Sequence, residues 1–409
     1  MAAMIVKIPV SDLQPGMYVR RFDCGWLQHP FLFNRRKVKS AADIERLKNW
    51  GVRHVYVEVE HPRPARPAPE PAPVQPPPAP GPLPMADLPE MGAGKQVPLS
   101  RELVRAEKAR RQAKTVAKDL LRSVREGKEL KLKEAETAVS GLDTSISHNK
   151  DALLLLMRLR NTDEYTFEHS VNVGVLLLAF CHSLGFDRET TRTIGLGGLL
   201  HDVGKMAVPP HILNKPGKLS EEEFRQIKEH VLKARRILAA TAAISLPVAK
   251  IALEHHERFD GTGYPYGLNG EAISRGGQMA SIADVFDALS ADRCYHRGME
   301  QAEVLRRLYG WRHSHFNAEL VQRFIKCIGI FPPGTLVRLE SGMLAVVVES
   351  GQNLLQPVVR LVYDTNRDWA VFPRDLDLAK PGKGGADRII CHELPARWGI
   401  NPLKALEVT

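Results

Sequence analysis

The run PRPARPAPEPAPVQPPPAPGPLP, inside residues 61–99, constrains this chain more than any other feature. Proline fixes φ, lacks a backbone N–H and favours extended, solvated conformations, so such a run joins neither helix nor sheet nor core. The 409 residues must therefore fold as separate parts on either side of a semi-rigid linker. Before it, residues 1–60 read as a small α+β domain. MIVKIPV and VRHVYVEV are rich in β-branched residues and predict strands, while Ser40 caps and Gly51 stops a helix over residues 41–50.

After the linker the pattern is mainly helical. Residues 100–149 are charged and alanine-rich, with no glycine or proline inside before Gly127, which predicts a helical stalk suited to signalling or to homodimerisation. Residues 150–335 carry long helical periodicities. In one of them Ser220 and Glu223 form a capping box, followed by an apolar stripe of Phe224, Ile227, Val231, Ala234 and Leu238. Beyond Pro332-Pro333-Gly334, the segments TLVRL, LAVVVES, PVVRLVY and AVF predict short strands, making residues 336–409 a β-rich appendage and tail.

Composition excludes several classes. Five scattered cysteines without a CxxC pair argue against a disulfide framework and a cysteine zinc site, and suit a reducing cytoplasm. The longest apolar run, near residues 173–180, is far shorter than the roughly 18–20 residues of a membrane span. No signal segment opens the sequence, so a soluble, cytoplasmic protein is expected. The net charge of +10 fits nucleic acid or other anionic ligands. Much of the excess sits in Arg105, Lys108, Arg110, Arg111, Lys114 and Lys118, which read as the solvated face of a helix without a nucleic-acid module beside it.

Seven of fifteen histidines lie between His169 and His256. His169 shares a helix face with Val173 and Leu176, His230 with Ile227 and Ala234. His201-Asp202 and His255-His256 end apolar runs, and Asp284 sits within SIADVFDAL. A lone histidine on an apolar face is ordinarily a satisfied core residue, but this many buried polar groups need partners. Their spacings of 32, 29, 25 and 28 residues each match one helix out and one back, so the side chains return to one level of a bundle. Imidazole with carboxylate favours iron, manganese or zinc, and the lack of thiolates tilts the choice from zinc towards iron or manganese. Lys205 can place a positive charge beside these ligands. Gly261, Gly263 and Pro265 shape a loop that presents Arg258 and Tyr264 next to the paired histidines, unless it is only a structural turn with a packed tyrosine.

These segments together strongly resemble the HD-GYP family, the branch of the HD metal-dependent phosphohydrolases that acts on cyclic di-GMP. The resemblance rests on EHS (168–170), HDVGK (201–205), His230, HHERFDGTGYP (255–265) and IADVFDALSADR (282–293), with HFNAELVQRFI and GIFPPGTLVRL further on. It covers about residues 150–340. Residues 1–60 are similar to a small domain of unknown function that precedes HD-GYP domains. The resemblance implies an HD-type helical bundle and a two-metal site: His169, His201, Asp202 and Asp284 on one cation, His230, His255 and His256 on the other, with Asp202 bridging. Such a site suits metal-assisted attack of water on a phosphodiester. Asp202 and Lys205 would be catalytic. Lys205, Arg258, Tyr264, Arg293 and His296 would contact substrate, and diguanylate cyclase (GGDEF) domains would dock on the GYP loop.

Three departures stand out. Tyr165 occupies the position where members with a third metal carry glutamate, which implies two metals. Cys294 and His296 replace a proline and a basic residue, and no receiver domain precedes the catalytic region. The competing readings are an HD phosphohydrolase for another nucleotide and a non-catalytic cyclic di-GMP sensor.

Overall fold

The computed structural model describes residues 4–22, 36–38, 44–45, 54–59, 97–158, 165–213, 215, 219–291, 299–351, 353–380 and 387–407. The chain divides into two units, Met1–Glu90 and Met91–Thr409. In the first, β1 (Met4–Pro9), β2 (Tyr18–Phe22), β3 (Arg36–Lys37) and β4 (His54–Val59) form an antiparallel sheet in the order β1-β4-β2-β3. The two sequence-predicted strands pair with each other, Ile8 opposite Val55. Val10, Leu13, Val19, Val38, Ile44, Val55 and Val57 make an all-apolar core. Of the helix predicted over residues 41–50, only Ile44 and Glu45 are described, and both are helical. The proline-rich run lies outside the described residues except for 97–99.

The predicted stalk folds differently. It is a hairpin of α1 (Leu99–Arg125) and α2 (Leu132–Met157) that turns at Gly127, whose φ of +66° suits a residue without a side chain. Ala106, Ala113 and Ala117 of α1 are buried, and small side chains let the helices approach closely. Buried Glu102 holds the pair together, accepting from Ser145 Oγ at 2.8 Å with His148 Nδ1 at 3.2 Å. α1 also packs on the rest of the unit: Lys114 Nζ donates to Glu168 at 2.7 Å, and Arg125 reaches Met206 Sδ at 3.7 Å. Part of its charge is thus used internally, which corrects the picture of a wholly solvated face. α2 kinks at Asn149, whose side chain donates to Val97 O at 2.9 Å.

The bundle continues with α3 (Tyr165–Ser183), α4 (Arg188–Leu200), α5 (Pro210–Leu213), α6 (Glu221–Lys228), α7 (His230–Ala239), α8 (Leu246–Glu254), α9 (Arg275–Ser290), α10 (Gln301–Gly310) and α11 (Ala318–Ile328). α3 is buried on all sides from Val171 to Cys181 and is the axis of the core. The capping box of Ser220 and Glu223 forms as its sequence predicts. The apolar stripe behind it is shared between α6 and α7: Val231, Ala234 and Leu238 are buried, whereas Phe224 is exposed with Lys228 Nζ 4.8 Å from its ring centroid.

At the C-terminal end β5 (Leu336–Leu339), β6 (Met343–Glu349), β7 (Val358–Asp364), β8 (Trp369–Asp377) and β9 (Ile389–His392) form an antiparallel sheet in the order β8-β7-β6-β5-β9. One face buries Val337, Leu339, Ala345, Val347 and Val359. On the other, Leu336, Leu344 and Val346 pack with Leu155 of α2 and with Leu99 and Leu103 of α1. The sheet is therefore built into the helical unit. Among the described residues no helix is long and apolar enough to cross a membrane.

Candidate metal centre

Three proposed ligands stand at helix ends. His201 caps α4, His230 opens α7 and His255 caps α8. In each the ring Nδ1 faces a carbonyl three residues back: Gly198 O at 2.8 Å, Ile227 O at 2.7 Å and Ala252 O at 3.0 Å. A carbonyl only accepts, so Nδ1 carries the proton and Nε2 is left bare, pointing inward. His169, on α3, has the same arrangement with a carboxylate: its Nδ1 lies 2.8 Å from Asp287 Oδ2, and Asn172 Nδ2 donates to the other oxygen at 3.1 Å. Metal-binding histidines are oriented by partners of this kind.

The inward atoms converge on Asp202. Its Oδ2 is 3.4 Å from His169 Nε2 and 3.3 Å from His201 Nε2, while its Oδ1 is 3.5 Å from His230 Nε2 and 3.7 Å from His255 Nε2. Each carboxylate oxygen thus serves a different histidine pair. Asp284, from α9, spans the same two groups, with Oδ1 3.0 Å from His169 Nε2 and Oδ2 3.8 Å from His256 Nδ1. Two candidate metal-holding groups result: His169, His201 and Asp202, and Asp202, His230, His255 and His256.

The donors fit divalent cations better than they fit one another. The Nε2 atoms of His169 and His201 lie 3.3 Å apart and those of His230 and His255 3.5 Å apart, so bare lone pairs face each other. Asp202 Oδ1 is buried without a hydrogen-bond partner, a costly state for a carboxylate. Metal–ligand bonds of about 2.0–2.2 Å put neighbouring ligand atoms roughly 3.0–3.6 Å apart, close to the separations of 3.0 to 3.8 Å seen here.

Electrostatics prepares the same state. Burial acts to raise the Asp202 carboxyl, yet His201 and Lys205 hold it well below the usual carboxylate range. Asp284, which faces His169 and His256, is likewise held well below that range despite its burial. Burial is the first cause that pushes His230 down to about 4, His256 down to about 3 and His255 well below an ordinary histidine. Neutral imidazoles at His230, His255 and His256 beside ionised carboxylates are the protonation states a metal requires.

Lys205 Nζ donates to Asp202 Oδ2, so both proposed catalytic residues are at the centre. Gly204, between them, lets this turn approach the start of α7: a Cβ there would lie 1.9 Å from His230 O. In the GYP loop, buried Glu257 accepts from Tyr266 N at 2.7 Å and Leu268 N at 3.0 Å. A Cβ on Gly263 would stand 2.4 Å from Glu257 Cα. The loop sets the Tyr264 ring 4.7 Å from His256, and burial raises the phenol well above its ordinary value. The Arg258 guanidinium, from the same loop, lies 3.5 Å from Thr262 Oγ1. Arg293 and His296 lie outside the described residues, as does the Tyr165 side chain. Sequence reasoning missed Asp287 and Gly204. Asp287 follows Asp284 by three residues on one helix, a spacing that could have exposed it.

A histidine–aspartate cluster that could hold metal, set within a helical bundle, is the arrangement of an HD-type domain. The HD domain family matches residues 154–320, and a domain of unknown function (DUF3391) matches residues 5–135, reaching past the proline-rich run through α1. A cyclic di-GMP phosphodiesterase of Pseudomonas aeruginosa is 37% identical over 98% of this chain and 95% of its own length. A 3'3'-cGAMP-specific phosphodiesterase of Vibrio cholerae is 40% identical over 38% of this chain and 36% of its own. A cyclic di-GMP phosphodiesterase response regulator of Xanthomonas campestris is 40% identical over 35% of this chain and 38% of its own. The chain belongs to the HD-GYP phosphodiesterase family.

Proposed function

We propose that the chain hydrolyses cyclic di-GMP to linear pGpG, and to GMP where the second phosphodiester is also cut. The observation that carries the mechanism is the division of Asp202, one oxygen to His169 and His201 and the other to His230 and His255. His169, His201, Asp202 and Asp284 would hold one cation, and His230, His255, His256 and Asp202 a second. Iron or manganese bound there would activate water and balance phosphate charge. Lys205, already on Asp202 Oδ2, would turn its ammonium to a phosphate oxygen. Tyr264, its ring tilted 30° to that of His256 at 4.7 Å, would form a wall against the nucleotide. Arg258, Arg293 and His296 would complete the substrate contacts.

Likeness along nearly the whole chain to a cyclic di-GMP enzyme supports this substrate, and the shorter cGAMP-specific match makes 3'3'-cGAMP the second reading. A GGDEF-domain partner would meet the GYP loop, where Tyr266 is exposed, and a homodimer would use the open face of α1 around Val104. The free thiols of Cys181, Cys327 and Cys391 suit a cytoplasmic setting. Anaerobically purified protein incubated with both cyclic dinucleotides, with products separated by chromatography, should give faster loss of cyclic di-GMP. Turnover of neither would reject the enzyme reading.

A further inference from the structure

The basic face of α1 encloses a pocket that shares no residue with the metal-ligand cluster. Glu107, Arg110, Arg111, Lys114, Thr115 and Lys118, together with Phe167 from the first turn of α3, surround about 280 Å³. Arg111 pairs with Glu107 at 2.8 Å, while Glu168 holds Lys114 at 2.7 Å and Arg110 at 3.6 Å. Lys118 Nζ stands 6.0 Å from the Phe167 ring centroid. Among the described residues, four cations therefore face two carboxylates. Arg110 and Lys114 are largely withdrawn from water, with side chains 12% and 21% exposed, so their fields are screened less than those of surface lysines. The positive end of the α3 dipole adds to them. Cations alone would serve any anion, but the aromatic wall of Phe167 adds a surface on which a base can stack.

We propose that this pocket binds the phosphate of a nucleotide outside the metal centre. Arg111 and Lys118 are exposed and meet the ligand first, the guanidinium as a fork and the ammonium as a point charge. Lys114 and Arg110 lie behind them on Glu168. Glu168 directly precedes His169, whose Nε2 faces Asp202 and Asp284. A phosphate that draws Lys114 from Glu168 thus acts on the neighbour of a proposed metal ligand. The nucleotide is either the substrate itself, reaching across from the metal centre, or a separate effector. The substrate arm rests on the phosphodiesterase reading, whereas the effector arm does not.

The test uses the full chain with Arg111→Glu and Lys118→Glu together, both at exposed positions, and Arg111→Gln with Lys118→Gln should the charge reversal unfold it. Hydrolysis is followed for cyclic di-GMP and for bis(p-nitrophenyl) phosphate, a small diester with no second phosphate. GMP is titrated calorimetrically into metal-stripped protein. If the substrate occupies the pocket, its KM rises roughly tenfold or more, equivalent to about 1.4 kcal/mol. The small diester then keeps its kcat/KM within about twofold. If an effector occupies it, KM is unchanged and GMP binding seen in the wild type is lost. An unaltered KM with unaltered or absent GMP binding overturns the proposal. If the wild type cleaves neither diester, the phosphodiesterase reading fails, while the GMP titration still decides the pocket.

Discussion

The N-terminal sheet unit and the helical unit bury opposite kinds of material. The core of the former is Val10, Leu13, Val19, Val38, Ile44, Val55 and Val57, with no buried polar side chain among its described residues. The latter buries His169, His201, Asp202, His230, His255, Asp284 and Asp287 beside an equally apolar framework. An aliphatic core stabilises its fold through the area it removes from water. A core of ionised carboxylates and bare imidazoles is destabilising unless something balances it. The difference separates a region shaped for folding from one whose packing anticipates a bound cation.

The largest effect that should sharpen this contrast, short of removing a ligand, concerns Asp287. Asp287→Asn keeps the shape but replaces the charged acceptor that orients His169 Nδ1. Metal affinity should fall about 10–100-fold, as for other partners of metal-binding histidines. Titration of the metal-stripped variant with manganese reads this, and wild-type affinity would show that His169 needs no such support.

Acid should distinguish the two cores next. His230 titrates near 4 and His256 near 3 in the metal-free fold, against 6.5 for an unfolded histidine. Between about pH 6.5 and 4 the unfolded chain binds protons that the folded chain does not, so stability falls as pH is lowered through that window. Below it Asp202 and Asp284 act in the same direction, because the fold keeps them ionised. The chelated helical unit should lose several degrees of Tm from pH 7 to 5, at roughly 2–4 °C per kcal/mol. Metal-loaded protein should lose less until the cations dissociate. A flat profile for the chelated protein would mean that the imidazoles are not held neutral.

The smallest effect on chemistry should come from removing the apolar core altogether. A chain beginning at Met91 keeps the complete helical unit and every proposed ligand. It should hydrolyse cyclic di-GMP within about twofold of full length. Loss of turnover in a folded, metal-loaded chain of that length would give the N-terminal unit a direct part in the chemistry.

The seven ligand candidates were legible because metal chemistry leaves few residue types to choose from and helical spacing returns them to one level. β1, β4, β5, β6 and β7 were legible from β-branched runs, and β8 in part, whereas β2, β3 and β9 were not anticipated. Less visible were features set by tertiary contact. The α1–α2 hairpin depends on a single positive-φ glycine and on Glu102 meeting Ser145, neither of which has a local signature. The need for Gly204 arises only from the approach of His230 O, 26 residues away in sequence.

The most direct test of the account is metal content measured together with turnover in wild type and Asp202→Ala. The wild type, purified without oxygen and reconstituted, should carry about two iron or manganese ions per chain and degrade cyclic di-GMP. Asp202→Ala removes the carboxylate that both histidine groups face, so it should empty at least one metal position and lose turnover by roughly a thousandfold or more. A folded Asp202→Ala chain with the wild-type metal complement and undiminished hydrolysis would contradict the central claim.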